Sequence, residues 1–175
     1  VSTPSVDLLT KWGTKRRLPI GAEAAPSGGL DFRVWAPKRG RVEVESEGGG
    51  GFTELARDEH GYFSGVVPGL SAGSRYKFRL DGDRSFPDPA SRFQPEGPHG
   101  PSQVVDPSTF RWTDAGWPGI APARQIFYEL HIGTFTPEGT YAAGAKRHEG
   151  LAQLGVSVVE VIPLAEFSGK FGWGY

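Results

Sequence analysis

Two apolar runs flank one helical pattern near the end of this chain, and they constrain the fold more than anything else in the sequence. The first, Gln125-Ile-Phe-Tyr-Glu-Leu-His-Ile-Gly133, carries Ile126, Phe127, Tyr128, Leu130 and Ile132 with little polar interruption. Such near-continuous apolar character belongs to a parallel strand covered on both faces. The second run is Val156-Ser-Val-Val-Glu-Val-Ile-Pro163. Between them lie a short polar loop at 134–139 and a helical pattern from Tyr141 to Leu154. Thr140 is placed to cap that helix and Gly155 to close it. Strand, helix and strand in this order predict a β-α-β unit. Two parallel strands cannot bury their own faces or edges, so the unit is expected to open a larger enzyme.

The preceding part reads differently. From about Leu18 to Val105, short alternating runs are separated by turn residues. Leu30, Phe32, Val34 and Ala36 fall on one face, against Asp31, Arg33 and Trp35 on the other. Arg41 to Glu45 alternates again, and glycines 48–51 connect it to a run from Phe52 to Leu55. Tyr62 to Val67 makes another strand. Tyr76, Phe78 and Leu80 alternate within Arg75–Leu80, and Asp81-Gly82 is a strong hairpin signal into Arg84–Phe86. The Gly 26 and Pro 15 of the composition suit many turns between short strands. A multi-domain chain is expected, with an immunoglobulin-like β-sandwich over 18–105. It follows an N-terminal arm, 1–17, and precedes the start of a (β/α)₈ TIM barrel over 124–175. The stretch from Phe86 to Pro122 shows little periodicity and reads as a packed connector, of which 106–123 joins the two domains.

Charge narrows the partners. With 19 basic and 20 acidic residues the net charge is −1, which favours neither nucleic acid nor an anionic membrane. No apolar run approaches the roughly 20 residues that span a bilayer. Cysteine is absent, which excludes disulfides and thiolate metal sites. Phosphate loops and His clusters are missing too, so no metal and no cofactor is expected. The expected setting is soluble and cytoplasmic.

No complete catalytic set is visible. Glu129 and His131 lie two residues apart, so both project from one face of their strand. On the first strand of a barrel they would sit near the C-terminal end, where such enzymes place their chemistry. They read equally as a hydrogen-bonded polar pair that organises loops. The segment after the second run sets Phe167, Phe171, Trp173 and Tyr175 among glycines. Flat rings beside flexible backbone suit stacking on a sugar face, or packing of a barrel rim. Tyr175 is the stronger candidate for a sugar contact. Trp35 reads either as a binding ring or as a contact with a neighbouring domain.

Several of these segments, taken together, resemble the alpha-amylase superfamily of glycoside hydrolases. They are Tyr128-Glu-Leu-His-Ile-Gly-Thr-Phe135, Leu154-Gly-Val156, Val161-Ile-Pro-Leu164 and Gly172-Trp-Gly-Tyr175. Phe32-Arg-Val-Trp-Ala-Pro37 is similar to the sandwich domain, carbohydrate-binding-module-like, of one branch. Within that branch, the run from Phe86 through Asp88-Pro-Ala-Ser-Arg-Phe-Gln-Pro95 to Pro107 resembles the maltooligosyltrehalose trehalohydrolase family. The resemblance implies retaining hydrolysis of the α-1,4 bond beside a terminal trehalose. One carboxylate attacks the anomeric carbon and a second, about 5 to 5.5 Å away, protonates the leaving oxygen. Those acids belong to later barrel strands, so no catalytic residue is assigned in this chain. The resemblance carries Tyr175 over as the ring stacking on the sugar on the non-reducing side of the cleaved bond, and His131 as the position beneath it. Trp173 joins them as a weaker substrate contact. The implied partners are maltooligosyl trehalose or a related α-glucan, and the remainder of the catalytic barrel. Two other readings stay open, an α-1,4-glucan branching or debranching enzyme and a stand-alone glucan-binding module.

Overall fold

The computed structural model describes residues 16–48, 51–169, 171 and 172. Two compact units divide the chain, one ending at Thr109 and the other starting at Phe110.

The first unit is a β-sandwich. One antiparallel sheet runs in the order β1 (Gly21–Ala24), β2 (Leu30–Trp35), β6 (Tyr62–Val67), β5 (Ala56–Arg57). The other runs β4 (Phe52–Glu54), β3 (Val42–Ser46), β7 (Arg75–Leu80), β8 (Ser85–Phe86), and β9 (Ser102–Gln103) also pairs with β7. The alternation expected for β2 holds. Leu30, Phe32 and Val34 are buried at 1%, 0% and 6% exposure, whereas Trp35 is 59% exposed. Val42, Val44, Tyr76 and Phe78 answer them from the second sheet. Phe32 meets Tyr76 edge-on at 4.8 Å between ring centres, which ties the two sheets together.

Turn chemistry sets the register. Asp81 and Gly82 have φ of 51° and 72°, the left-handed values that close the turn in which the Asp83 N–H bonds the Leu80 carbonyl. Asp81 further accepts N–H bonds from Gly40 and Arg41 at 2.9 and 3.0 Å, fixing the loop before β3. Gly61 has φ of 82°, and a Cβ there would come within 2.7 Å of Pro37 Cα, so only glycine fits.

Three strands or bends differ from the sequence expectation. The run from Phe52 onward is two strands, because buried Leu55 carries the chain from one sheet to the other. β1 escaped notice, since Gly21-Ala-Glu-Ala24 offers small residues rather than β-branched ones. β9 lies inside the stretch read as connector, where Ser102 is fully buried.

The second unit holds the β-α-β order. β10 (Phe127–His131) and β11 (Val158–Ile162) pair in parallel, with Phe127 beside Val158 and His131 beside Ile162. A short helix, α1 (Ile132–Phe135), takes up the end of the first apolar run and the first two residues of the expected loop. The single expected helix is two, α2 (Tyr141–Ala145) and α3 (His148–Gln153). Gly144 and Gly150 weaken a continuous helix, and an Arg147 N–H to Gly144 C=O bond tightens the break. The caps follow expectation. Thr140 accepts from the Ala143 N–H, and Gly155 closes α3 at φ of 87°. Gly155 N–H bonds Ala152 C=O and Val156 N–H bonds Leu151 C=O, the paired closure of a left-handed helix end.

Candidate functional site

His131 ends β10 and caps α1 with its side chain. Its Nδ1 accepts the Gly133 N–H at 3.2 Å, so the neutral ring carries its proton on Nε2. A Cβ on Gly133 would lie 3.1 Å from the imidazole Cε1, which explains glycine beside it. Nε2 is buried and has no hydrogen-bond partner among the described residues. Glu129 shares the face of His131, as its spacing predicts, but no hydrogen bond joins the two side chains. Glu129 is exposed, and its direct neighbour across the pair is Glu160. Sequence reading missed Glu160 as part of this face. The signal was a carboxylate in the middle of an otherwise apolar strand.

Among the described residues β10 is closely covered at Leu130, 6% exposed, while Ile126, Phe127 and Tyr128 are 51%, 62% and 39% exposed. On the Leu130 side, Tyr128 meets Phe135 of α1 at 6.3 Å. Tyr141 of α2 donates its hydroxyl to the Pro163 carbonyl at 2.7 Å, tying the helix to the end of β11.

Of the aromatics after β11, Phe167 is half-buried and Phe171 exposed. A Cβ on Gly172 would come within 2.7 Å of the Phe167 ring, so that ring packs on its own loop. Trp173 and Tyr175 lie outside the described residues, as does most of the arm 1–17. Among the described residues no cluster of acids and histidines could hold a metal, and no helix is long and apolar enough to cross a membrane.

The sandwich has its own surface features. Trp35 donates its indole N–H to the His60 carbonyl at 3.2 Å, which fixes the exposed ring. Beside it across the strand pair stands Tyr62, with the Arg33 guanidinium 4.2 Å above its ring. A shallow cleft of about 260 Å³ opens at the β7–β8 hairpin, lined by Arg39, Asp81, Arg84 and Phe86 among others. A ring beside charged donors and acceptors offers what a sugar face and its hydroxyls require.

Two buried polar sets organise this unit. Asp88 accepts from the Tyr76 hydroxyl at 2.6 Å and from the Ala90 N–H at 2.8 Å, while its own N–H bonds Ser102. Burial pushes the Asp88 carboxyl above its usual range, against the pull of these bonds. Burial, then the Asp88 charge, holds the Tyr76 hydroxyl far above its own. Arg16 is buried over β1 and β2, 2.6 Å from Asp31 and 3.7 Å from Glu23. It also donates to the carbonyls of Leu18 and Gly21.

Comparison with known proteins places these features. A Deinococcus radiodurans protein named malto-oligosyltrehalose trehalohydrolase is 44% identical over 99% of this chain and 28% of its own length. Another of that name, from Saccharolobus solfataricus, is 42% identical over 84% of this chain and 26% of its own. A crystal structure of a Salmonella typhimurium protein, provisionally assigned to the alpha amylases, superposes with a TM-score of 0.81. It shares 41% identity and covers 90% of this chain and 26% of that one. The chain thus spans about a quarter of the length of the relatives it matches. Residues 19–107, which hold both sheets of the sandwich and the Asp88 latch, match the family described as carbohydrate-binding module 48, the isoamylase N-terminal domain. The chain belongs to that family.

Proposed function

We propose that this chain is the opening portion of a glycoside hydrolase that releases trehalose from maltooligosyl trehalose. The observation that carries the reading is the 44% identity to a malto-oligosyltrehalose trehalohydrolase along almost the whole chain. The order of a carbohydrate-binding module followed by a parallel β-α-β unit supports it, because such a unit is how a (β/α)₈ barrel begins. In this reading the two carboxylates of a retaining mechanism lie on barrel strands beyond this chain. By the family resemblance Tyr175 is the ring that stacks on the sugar on the non-reducing side of the cleaved bond, and Trp173 is a weaker substrate contact. His131, at the carboxyl end of β10, joins them as the first-strand residue of the site, its buried Nε2 free to bond a group that holds the sugar.

The test is product analysis with purified maltooligosyl trehalose, using the protein at the length of its relatives. Free trehalose and a shortened maltooligosaccharide are expected, with no change in α-1,6 content. New or lost α-1,6 bonds with no trehalose would instead identify a branching or debranching enzyme.

A further inference from the structure

The strands of the second unit are parallel, so β10 and β11 end on the same side, with His131 beside Ile162. In sheets of this kind ligands sit outside the carboxyl ends of the strands. Pro163 is the first residue past that end of β11, and the segment it opens, 163–172, leads to Trp173 and Tyr175.

That segment is closed at its base. A Cβ on Gly172 would lie 2.9 Å from Pro163 Cγ and 2.7 Å from the Phe167 ring. The Gly172 backbone therefore sits against the first residue of its own loop, with the Phe167 ring packed on it. Compact loops whose ends meet in this way are held as units by their own side chains. Pro163 is buried, whereas Leu164, Ala165 and Glu166 are exposed. At the buried end the loop is fastened to α2, where Tyr141 donates its hydroxyl to the Pro163 carbonyl at 2.7 Å. Tyr141 is the first residue of that helix, whose start the Thr140 cap fixes. Three residues of chain reach at most about 11 Å, so the place of Gly172 bounds the place of Tyr175.

We propose that Tyr141 is a positioning residue for the ring of Tyr175, acting through the Pro163–Gly172 closure. This role rests on the reading of Tyr175 as the ring that stacks on the sugar. Without the hydroxyl bond the closed loop shifts as a body at the end of β11, and Tyr175 meets the sugar in a smaller fraction of molecules. Apparent affinity falls in proportion to that fraction. A stacked ring holds the sugar in the ground state and the transition state alike, so its displacement raises KM and leaves kcat in place. Tyr141 is 53% exposed, so Tyr141→Phe removes the hydroxyl without opening a cavity in a core.

The experiment uses the protein at the length of its relatives, with maltooligosyl trehalose as substrate. It compares the native protein, Tyr141→Phe, Tyr175→Ala and the double variant. Tyr141→Phe is expected to raise KM about fivefold, the worth of one hydrogen bond, with kcat held within about twofold. In the Tyr175→Ala background the same substitution should change KM by less than about 1.5-fold, because the ring it positions is gone. A fall in kcat at unchanged KM overturns the proposal, since that is what a smaller folded fraction produces. An equal effect of Tyr141→Phe in both backgrounds overturns it too. Hydrogen exchange on the native protein and Tyr141→Phe reads the closure without any activity. Amides of 164–172 should exchange about fivefold faster in the variant, with those of β10 and β11 unchanged. No difference in the loop overturns the proposal. A native protein that releases no trehalose sinks the enzyme reading alone, and the loop exchange still decides this one.

Discussion

Asp88 shows how a residue of a recognisable motif acts through packing. It lies in the Phe86-Pro-Asp-Pro run, and its carboxylate holds that run against β7 through Tyr76. Tyr76→Phe leaves one carboxylate oxygen buried without its donor and is expected to cost about 1–3 kcal/mol. Its effect on Asp88 has a readable sign. A folded-state value raised above the unfolded one, about 3.9, makes the contribution fully present below that pH and lost as pH rises through the folded value. The stability difference between the native chain and Asp88→Asn should therefore be most favourable to the native residue near pH 3.5. It should shrink as pH rises, in urea melts taken across that range; a difference that grows with pH would contradict the assignment. Arg16 is the other such residue. Arg16→Ala removes the buried cation shared by Asp31 and Glu23, an expected loss of about 3 kcal/mol by chemical denaturation. A loss below 1 kcal/mol would show that the triad is as weak as an exposed ion pair.

Elements with strong local chemistry were legible in the sequence. β2, β6 and β7 follow from alternation, the β7–β8 turn from Asp81-Gly82, and the α2 start from Thr140. Thr140→Ala should cost about 1 kcal/mol, read in the second unit by fluorescence or circular dichroism. Where local signals were weak, the reading failed for identifiable reasons. β1 and β9 are short, and their pairing depends on long-range partners, β2 and β7. The break between α2 and α3 depends on Gly144, which packs where a Cβ would lie 3.0 Å from Ile132 Cδ1. No window of sequence displays that contact. At the candidate site, the shared face of Glu129 and His131 was legible from strand period. Glu160 joined them only through the in-register pairing of β10 with β11, a tertiary fact.

At the scale of the whole molecule the two units differ in completeness of burial. The sandwich closes its core between two sheets, from Phe32 and Phe63 at 0% and 1% exposure to Val44 and Phe78. The β10–β11 pair buries Leu130 closely but leaves Ile126, Phe127 and Ile162 exposed, together with the carboxylates of Glu129 and Glu160. A carbohydrate-binding module 48 domain with a closed core thus precedes a two-stranded parallel sheet with little buried apolar surface. Stability should be distributed accordingly, since local opening follows buried apolar contact. The most direct test is native-state hydrogen exchange on the 175-residue chain, amide by amide. Amides of β2, β3, β6 and β7 should exchange only through global unfolding of the sandwich. Those of β10 and β11 should exchange at least about 100-fold faster, a gap of about 2.7 kcal/mol in opening free energy. Equal protection in both sets would contradict the account, because it would mean that the second sheet is already complete.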